Sequence, residues 1–222
     1  MRIPVIEPYK ETAEEEVVFI PAMELERQPI ILTTDKAKDK FIKYCEKLIR
    51  GSYEYKEYIT YLRTVGEMNV CSVFPNVSKL LLKKLSLEIH HEPFPLYDIV
   101  NIVLKRFLNQ DRDLNEYDIV DEVLDLHFRG MVGLLPLSAT VHELVHVGKV
   151  FLPLQYLDNG FMSFYNEYKE EVAQCDLEAV LEKKLALSKT FNLKSNSILH
   201  KKFIYVTEEG YSQIPEMFKV VA

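Results

Sequence analysis

One short segment constrains the fold more than any other part of the chain. Residues 85–91, with the sequence LSLEIHH, alternate apolar and polar side chains, which predicts a short β-strand. Pro93 and Pro95 follow immediately and end the strand, because proline cannot donate to a sheet hydrogen bond. The apolar pattern predicts a second short extended segment at residues 134–137, about forty residues further along the chain.

The rest of the pattern is mainly helical. Thr34 and Asp35 are typical of a helix start, and apolar residues at helical spacing follow as far as Arg50. The spacing predicts further helices over 53–65, 96–108, 116–128, 139–146 and 161–188, and a strand-like segment over 150–157. The chain is therefore predicted to be a mixed α+β protein that is predominantly helical.

Length and cysteine usage limit the class of protein. A chain of 222 residues suffices for one domain or a small core with helical additions. Cys45, Cys71 and Cys175 are odd in number and widely spaced, which argues against a zinc ribbon or a disulfide framework. The sequence has no apolar run long enough to cross a membrane, and its N-terminus lacks a secretory signal pattern. We therefore expect a cytoplasmic protein without a membrane partner.

The charge distribution bears on nucleic-acid binding. The net charge of −7 argues against a large nonspecific DNA footprint, which needs many phosphate-neutralising cations. The acidic residues are concentrated elsewhere, however, and the segment from Lys183 to Lys202 contains six lysines and no acid. A local basic face is therefore compatible with the overall negative charge.

The histidines are the candidates for a metal site. Four of the six fall in two clusters, His90 with His91 at the end of the predicted strand and His142 with His146 on a predicted short helix. A spacing of four residues puts His142 and His146 on one helix face, close enough to bind one metal ion. A single pair of this kind is more often a partly exposed helix surface, but two clusters favour a metal site.

The residues around these histidines resemble the HNH nuclease family, also called the ββα-metal or His-Me finger family. LEIHHEPFP is similar to its first strand, and LLPLSATVHELVH is similar to its second strand and helix, in the HH…HxxxH variant of colicin-type and phage-encoded members. The resemblance covers residues 85–153 and implies a helical insertion at 96–130. Residues 1–84 and 154–222 would then be additions around this core.

The resemblance implies a role for each histidine. His90, His142 and His146 would bind the metal, and His91 would be the general base. The family's Asn falls at Gly133 in this sequence, so another residue must brace the base, and His127 is the candidate. The implied activity is hydrolysis of DNA phosphodiesters with one divalent ion, which is Zn, Ni, Mn or Mg.

DNA is the implied partner, and six lysines are candidates for contacts with its backbone. Two precede the first strand and four lie in the lysine-rich segment: Lys83, Lys84, Lys183, Lys184, Lys201 and Lys202. A solvated helix face explains the same residues equally simply. The sequence contains no heptad pattern, and the oligomeric state stays open.

Two alternatives use the same residues. His142, Glu143 and His146 also form H-E-x-x-H, the zincin metalloprotease signature, for which Glu167 would supply a third ligand. This interpretation leaves His90 and His91 without a role. The other alternative is a DNA-binding or protein-binding module on a degenerate HNH fold, which would bind without cleaving.

Overall fold

The computed structural model describes residues 30, 32–74, 77, 86–112, 114–157 and 160–189. Within these ranges the chain is mostly helical with one small sheet, as predicted for an α+β protein. The elements in chain order are α1 (Asp35–Gly51), α2 (Tyr53–Thr64), β1 (Leu87–His91), α3 (Leu96–Asn109), α4 (Glu116–Phe128), β2 (Leu134–Ser138), α5 (Ala139–His146), a 3-10 turn (Leu154–Tyr156), α6 (Gly160–Glu167), α7 (Lys169–Gln174) and α8 (Glu178–Lys189).

The sheet consists of β1 and β2, which pair antiparallel. His90 lies opposite Leu135 and His91 opposite Leu134, so the histidines sit where β2 begins. All five residues of β2 are buried, because helices cover the strand. This is why β2 is a continuous apolar run rather than an alternating one.

Gly133 lies just before β2, in close contact with the backbone that follows β1. The backbone N–H of Glu92 donates to the Gly133 carbonyl at 3.0 Å. A Cβ atom added to Gly133 would lie 2.0 Å from the Glu92 carbonyl oxygen, far inside van der Waals contact. Any side chain at this position would therefore push the two strands apart.

The helices before and between the strands form the core. Thr34 caps α1 by accepting a hydrogen bond from the Ala37 N–H at 3.1 Å, as its position in the sequence predicts. α3 is buried along much of its length and packs against α1, α4 and α7. This helical layer supports the sheet and holds α2 beside β1, where Arg63 Nη2 donates to the Leu87 carbonyl at 2.9 Å.

The single helix predicted over 161–188 is wrong. The structure has three shorter helices there, with interruptions at Tyr168 and around Asp176. Asp176 has φ of 58°, a left-handed conformation that ends α7, and Asp adopts it more readily than most residues. Apolar spacing continues across such a break, so the sequence pattern alone does not reveal it.

The strand-like segment predicted over 150–157 is also wrong. These residues are irregular and end in the 3-10 turn. Pro153 has no N–H to donate to a neighbouring strand, which disfavours a strand here. Among the described residues, the sheet contains β1 and β2 alone. The three cysteines form no disulfide, and none of the described helices has the length and apolar character needed to span a membrane.

Candidate metal centre

Three of the predicted residues converge. One ring nitrogen from each of His90, His142 and His146 lies within 4.8 Å of the others. Nε2 of His142 and Nε2 of His146 are 3.1 Å apart. Two tetrahedral zinc ligands with 2.0–2.1 Å bonds would be separated by about 3.3 Å, so the spacing fits a shared ion. His90 is buried, His142 half-buried and His146 exposed, which leaves one side of the cluster open to solvent.

The local sequence explains this convergence. Ser138 ends β2 and caps α5, accepting from the Val141 N–H at 3.4 Å, so strand and helix meet without a loop. The four-residue spacing then places His142 and His146 on the same face of α5. Gly148, with φ of 68°, ends this segment where the sequence predicted a stop.

Two carboxylates back the cluster. Nδ1 of His142 lies 2.6 Å from Oε2 of Glu88, and Nε2 of His90 lies 3.4 Å from Oε2 of Glu92. Glu88 and His90 are two positions apart on β1, so their side chains lie on one side of the strand, and Glu92 follows directly after the strand ends. Carboxylates in this position typically fix the orientation of metal-binding imidazoles. Sequence reasoning missed both, although Glu-x-His-x-Glu at the end of a predicted strand is a readable signal.

The electrostatics favour a neutral ligand at His142. Burial lowers the pKa of His142 below its ordinary value, and the neighbouring His90 lowers it further, while Glu88 opposes the shift. A neutral imidazole has the free lone pair that metal binding requires. The lowered pKa therefore favours the form of His142 that can bind a cation.

His91 belongs to a different pair. Its Nε2 lies 3.0 Å from Nε2 of His127, thirty-six residues away in the sequence. Nδ1 of His127 lies 2.6 Å from the Val123 carbonyl oxygen, which can only accept, so this nitrogen carries the proton. In neutral His127, Nε2 must therefore accept the hydrogen bond, and Nε2 of His91 must donate it. Neutral His91 is left with an unprotonated Nδ1.

This second pair is buried among aromatic rings. The rings of Tyr55 and Tyr58 meet His127 edge-on, with centroids 5.6 and 5.9 Å away. Burial is the main cause that holds the pKa of His91 well below its usual value, followed by the neighbouring His127. Burial also lowers the pKa of His127 to about 4. Both rings are thus kept neutral at physiological pH.

A cavity of about 280 Å³ lies between the three-histidine cluster and His91. His90, His91, His142 and His146 all line it, and the lining also includes Arg50 from α1 and Arg63 from α2 among other residues. The Arg63 Nε atom is buried and has no hydrogen-bond partner among the described residues. Sequence reasoning missed both arginines, because they lie far from the histidine motifs and give no local signal.

Only part of the proposed protease site is gathered here. Glu167 lies outside the histidine group and instead pairs with Arg129 at 3.0 Å and Arg106 at 3.5 Å. Glu143 is exposed and is not among the residues that line the cavity. The structure therefore brings together the histidines of H-E-x-x-H but not the glutamate proposed as third ligand.

The candidate DNA-binding lysines differ in their exposure and in their partners. Lys183 is exposed on α8. Lys184 is turned inward, with Nζ 2.5 Å from Oε1 of Glu92 and 2.8 Å from the Pro93 carbonyl oxygen. It is thus held by an internal ion pair. Lys83, Lys84, Lys201 and Lys202 lie outside the described residues.

Comparison with known proteins gives one family. Residues 9–209 match the model of the Bacteriophage G278-like virion protein family, which is most of the chain. No curated protein and no solved structure shows significant similarity to this sequence. The family match covers the strands, the helices and every histidine of both groups. The chain therefore belongs to the Bacteriophage G278-like virion protein family.

Proposed function

We propose that this phage protein is a metal-dependent endonuclease that hydrolyses DNA phosphodiesters at a single-metal site of the HNH type. The observation that carries the proposal is the cavity in which three convergent histidines, one separate neutral histidine and two arginines meet. In this proposal β1, β2 and α5 form the ββα core. α3 and α4 form the helical insertion between its strands.

The proposed ligands are His90, His142 and His146, and their donor set fits a divalent transition metal. Three imidazoles suit Zn, Ni or Mn better than Mg, which prefers oxygen ligands. When bound, such an ion would stabilise negative charge on the phosphate and on the departing oxygen. Glu88 would hold His142 so that its Nε2 faces the ion.

His91 is the proposed general base. Its low pKa keeps the ring neutral, and the hydrogen bond to His127 leaves Nδ1 free to accept a proton from the attacking water. His127 would thereby supply the bracing that the HNH family obtains from its Asn. The use of His127 in place of an Asn is consistent with Gly133, because the close approach of the Glu92 carbonyl leaves no room there for an Asn side chain.

Arg50 and Arg63 are the proposed phosphate-binding residues. Both line the same cavity as the histidines, and guanidinium groups bind phosphate through paired N–H donors. Arg63 donates one N–H to the Leu87 carbonyl, which fixes its side chain against β1. A substrate phosphate would thus lie between the arginines and the metal-binding histidines.

Two observations disfavour the zinc protease. Glu167 is committed to Arg106 and Arg129, and Glu143 does not line the cavity, so neither of the glutamates that a zincin uses is in place. The protease interpretation also gives no role to His91 and His127. The binding-module alternative keeps the metal and the DNA but predicts no turnover.

The family description names a virion protein and carries no statement about catalysis, so the proposed activity rests on the site. We place that activity on DNA in the host cytoplasm. Lys183 and the lysines outside the described residues stay candidates for backbone contacts, whereas Lys184 is committed to Glu92.

A plasmid-cleavage assay tests the proposal. Protein stripped with a chelator is mixed with supercoiled DNA and reloaded separately with Zn, Ni, Mn or Mg. We expect conversion to nicked or linear DNA with at least one of these ions, and a strong reduction in R63M, which removes the guanidinium but keeps an unbranched chain. DNA binding without cleavage under every ion would instead establish the binding module. Casein hydrolysis without DNA cleavage would establish the protease.

A further inference from the structure

The buried ion pair between Glu92 and Lys184 has no role in the proposed chemistry as described so far. The two residues are ninety-two positions apart, and their charged atoms are 2.5 Å from each other. Glu92 is only 6% exposed at its side chain and Lys184 24%, so the pair is withdrawn from solvent. Taking two charges out of water is costly unless the geometry is good. A pair of this kind therefore calls for an explanation.

The carboxylate of Glu92 is shared between two partners. Oε1 contacts Lys184, while Oε2 lies 3.4 Å from Nε2 of His90. A carboxylate accepts hydrogen bonds, so this contact selects the His90 tautomer that is protonated at Nε2. The lone pair of neutral His90 is then on Nδ1, and Nδ1 becomes the nitrogen available for a metal.

Lys184 fixes Glu92 in this position from a distant part of the chain. Its ammonium contacts the Glu92 carboxylate and also donates a hydrogen bond to the Pro93 carbonyl oxygen at 2.8 Å. It therefore bridges side chain and backbone at the turn that follows β1. α8 carries Lys184, and the apolar Leu181 on the same helix is 1% exposed, which anchors the helix to the core.

We propose that Glu92 and Lys184 are a positioning pair for His90: Lys184 holds the Glu92 carboxylate against Nε2, which presents Nδ1 to the metal. This inference rests on the proposed metal site and deepens it. The cluster would bind its ion through unlike nitrogens, Nδ1 of His90 and Nε2 of His142. Glu88 imposes the second choice by occupying Nδ1 of His142.

Zinc affinity and histidine tautomers test the pair together. Zinc affinity is measured by competition with a chromophoric chelator, and ring protonation by long-range ¹H–¹⁵N NMR of the metal-free protein. We expect His90 protonated at Nε2 in the wild type. E92Q should bind zinc about tenfold more weakly, in line with the loss of an outer-shell carboxylate. K184M should also bind more weakly, by a smaller factor, and K184R should recover most of the affinity.

K183M is the matched control, because Lys183 is the exposed neighbour of Lys184 on the same helix. Urea unfolding of each variant shows whether it is folded. A merely structural ion pair would lower the stability of E92Q and K184M without changing zinc affinity or the His90 resonances, and that result would overturn the proposal. Protonation of His90 at Nδ1 in the wild type would overturn it as well.

The outcome is separable from that of the proposed function. Zinc binding without DNA cleavage would sink the nuclease but leave the positioning pair supported if E92Q and K184M lose affinity. DNA cleavage with unchanged zinc affinity in both variants would sink only the pair. A wild-type protein that binds no zinc would overturn the positioning pair, and one that binds none of the four ions would overturn both proposals.

Discussion

The two histidine groups meet at one cavity, which the three-histidine cluster and His91 line, but they differ in their partners and in their access to solvent. His90, His142 and His146 are open to solvent on one side, and carboxylates contact two of them. His91 and His127 are buried among tyrosine rings, and their ring nitrogens contact each other and a backbone carbonyl. A carboxylate that contacts an imidazole orients it as a ligand, whereas burial without a carboxylate favours its neutral form. The comparison teaches that the environment of a histidine, rather than its place in a motif, separates the proposed ligands from the proposed base.

The largest effect is expected when the base is removed without touching the ligands. H91A should reduce metal-dependent DNA cleavage by about 100- to 10,000-fold, the range that general-base catalysis contributes. Zinc affinity should stay close to that of the wild type, because His91 is outside the ligand group. Plasmid nicking and chelator competition on the same preparation measure both. A parallel loss of zinc binding would show that the two groups are not separate.

The next effect concerns the ligands alone. Zinc at 100 times its dissociation constant should stabilise the wild-type protein by roughly 2.7 kcal/mol, because it binds only the folded state. H146A should abolish this gain, since it removes an exposed ligand with little effect on packing. Thermal unfolding with and without zinc measures it, and K183M, at an exposed residue of α8, is the control. An equal zinc gain in H146A would remove His146 from the site.

A third prediction tests the buried pair through pH. The pKa of His127 is about 4 in the folded protein and close to 6.5 in the unfolded chain. Between these values the unfolded state binds a proton that the folded state rejects, so stability should fall as pH drops from about 6.5 to about 4. The expected loss is roughly 3 kcal/mol, and His91 acts in the same direction.

Urea unfolding of the metal-free protein across this pH range measures the effect. H127Q should have a flatter profile than the wild type, because the amide does not titrate. Constant wild-type stability from pH 6.5 to 5, where few carboxylates titrate, would mean that the buried pair is hydrated or already charged. The contrast with the solvent-facing cluster would then disappear.

The smallest effect distinguishes the nuclease from the protease. E143Q should leave DNA cleavage and zinc affinity within about twofold of the wild type, a change typical of an exposed residue away from the site. The same plasmid and chelator assays apply. A large loss of any hydrolytic activity in E143Q would favour the H-E-x-x-H interpretation and would assign a catalytic role to α5 itself.

Local sequence patterns determined much of this protein. The alternation ending at His91 gave β1, Thr34 gave the start of α1, and the spacing of His142 and His146 placed both on one helix face, because each depends on neighbours along the chain. The mostly helical α+β class follows from the same periodicities. The three-histidine cluster was predicted with the help of the family resemblance, and the structure brings those residues together.

Tertiary structure decided what stands behind those histidines. His91 contacts His127, and Lys184 contacts Glu92. Arg50 and Arg63 line the cavity together with the histidines. These residues are about 25 to 90 positions apart in the sequence, and no local periodicity specifies contacts over such separations. The same holds for Glu167, which its spacing assigned to a metal site and its arginine partners keep elsewhere. The sequence thus determined which histidines are candidates for the proposed chemistry. The packing of helices around β1 decided their charge, tautomer and neighbours, because burial and hydrogen-bond partners exist only in the folded chain.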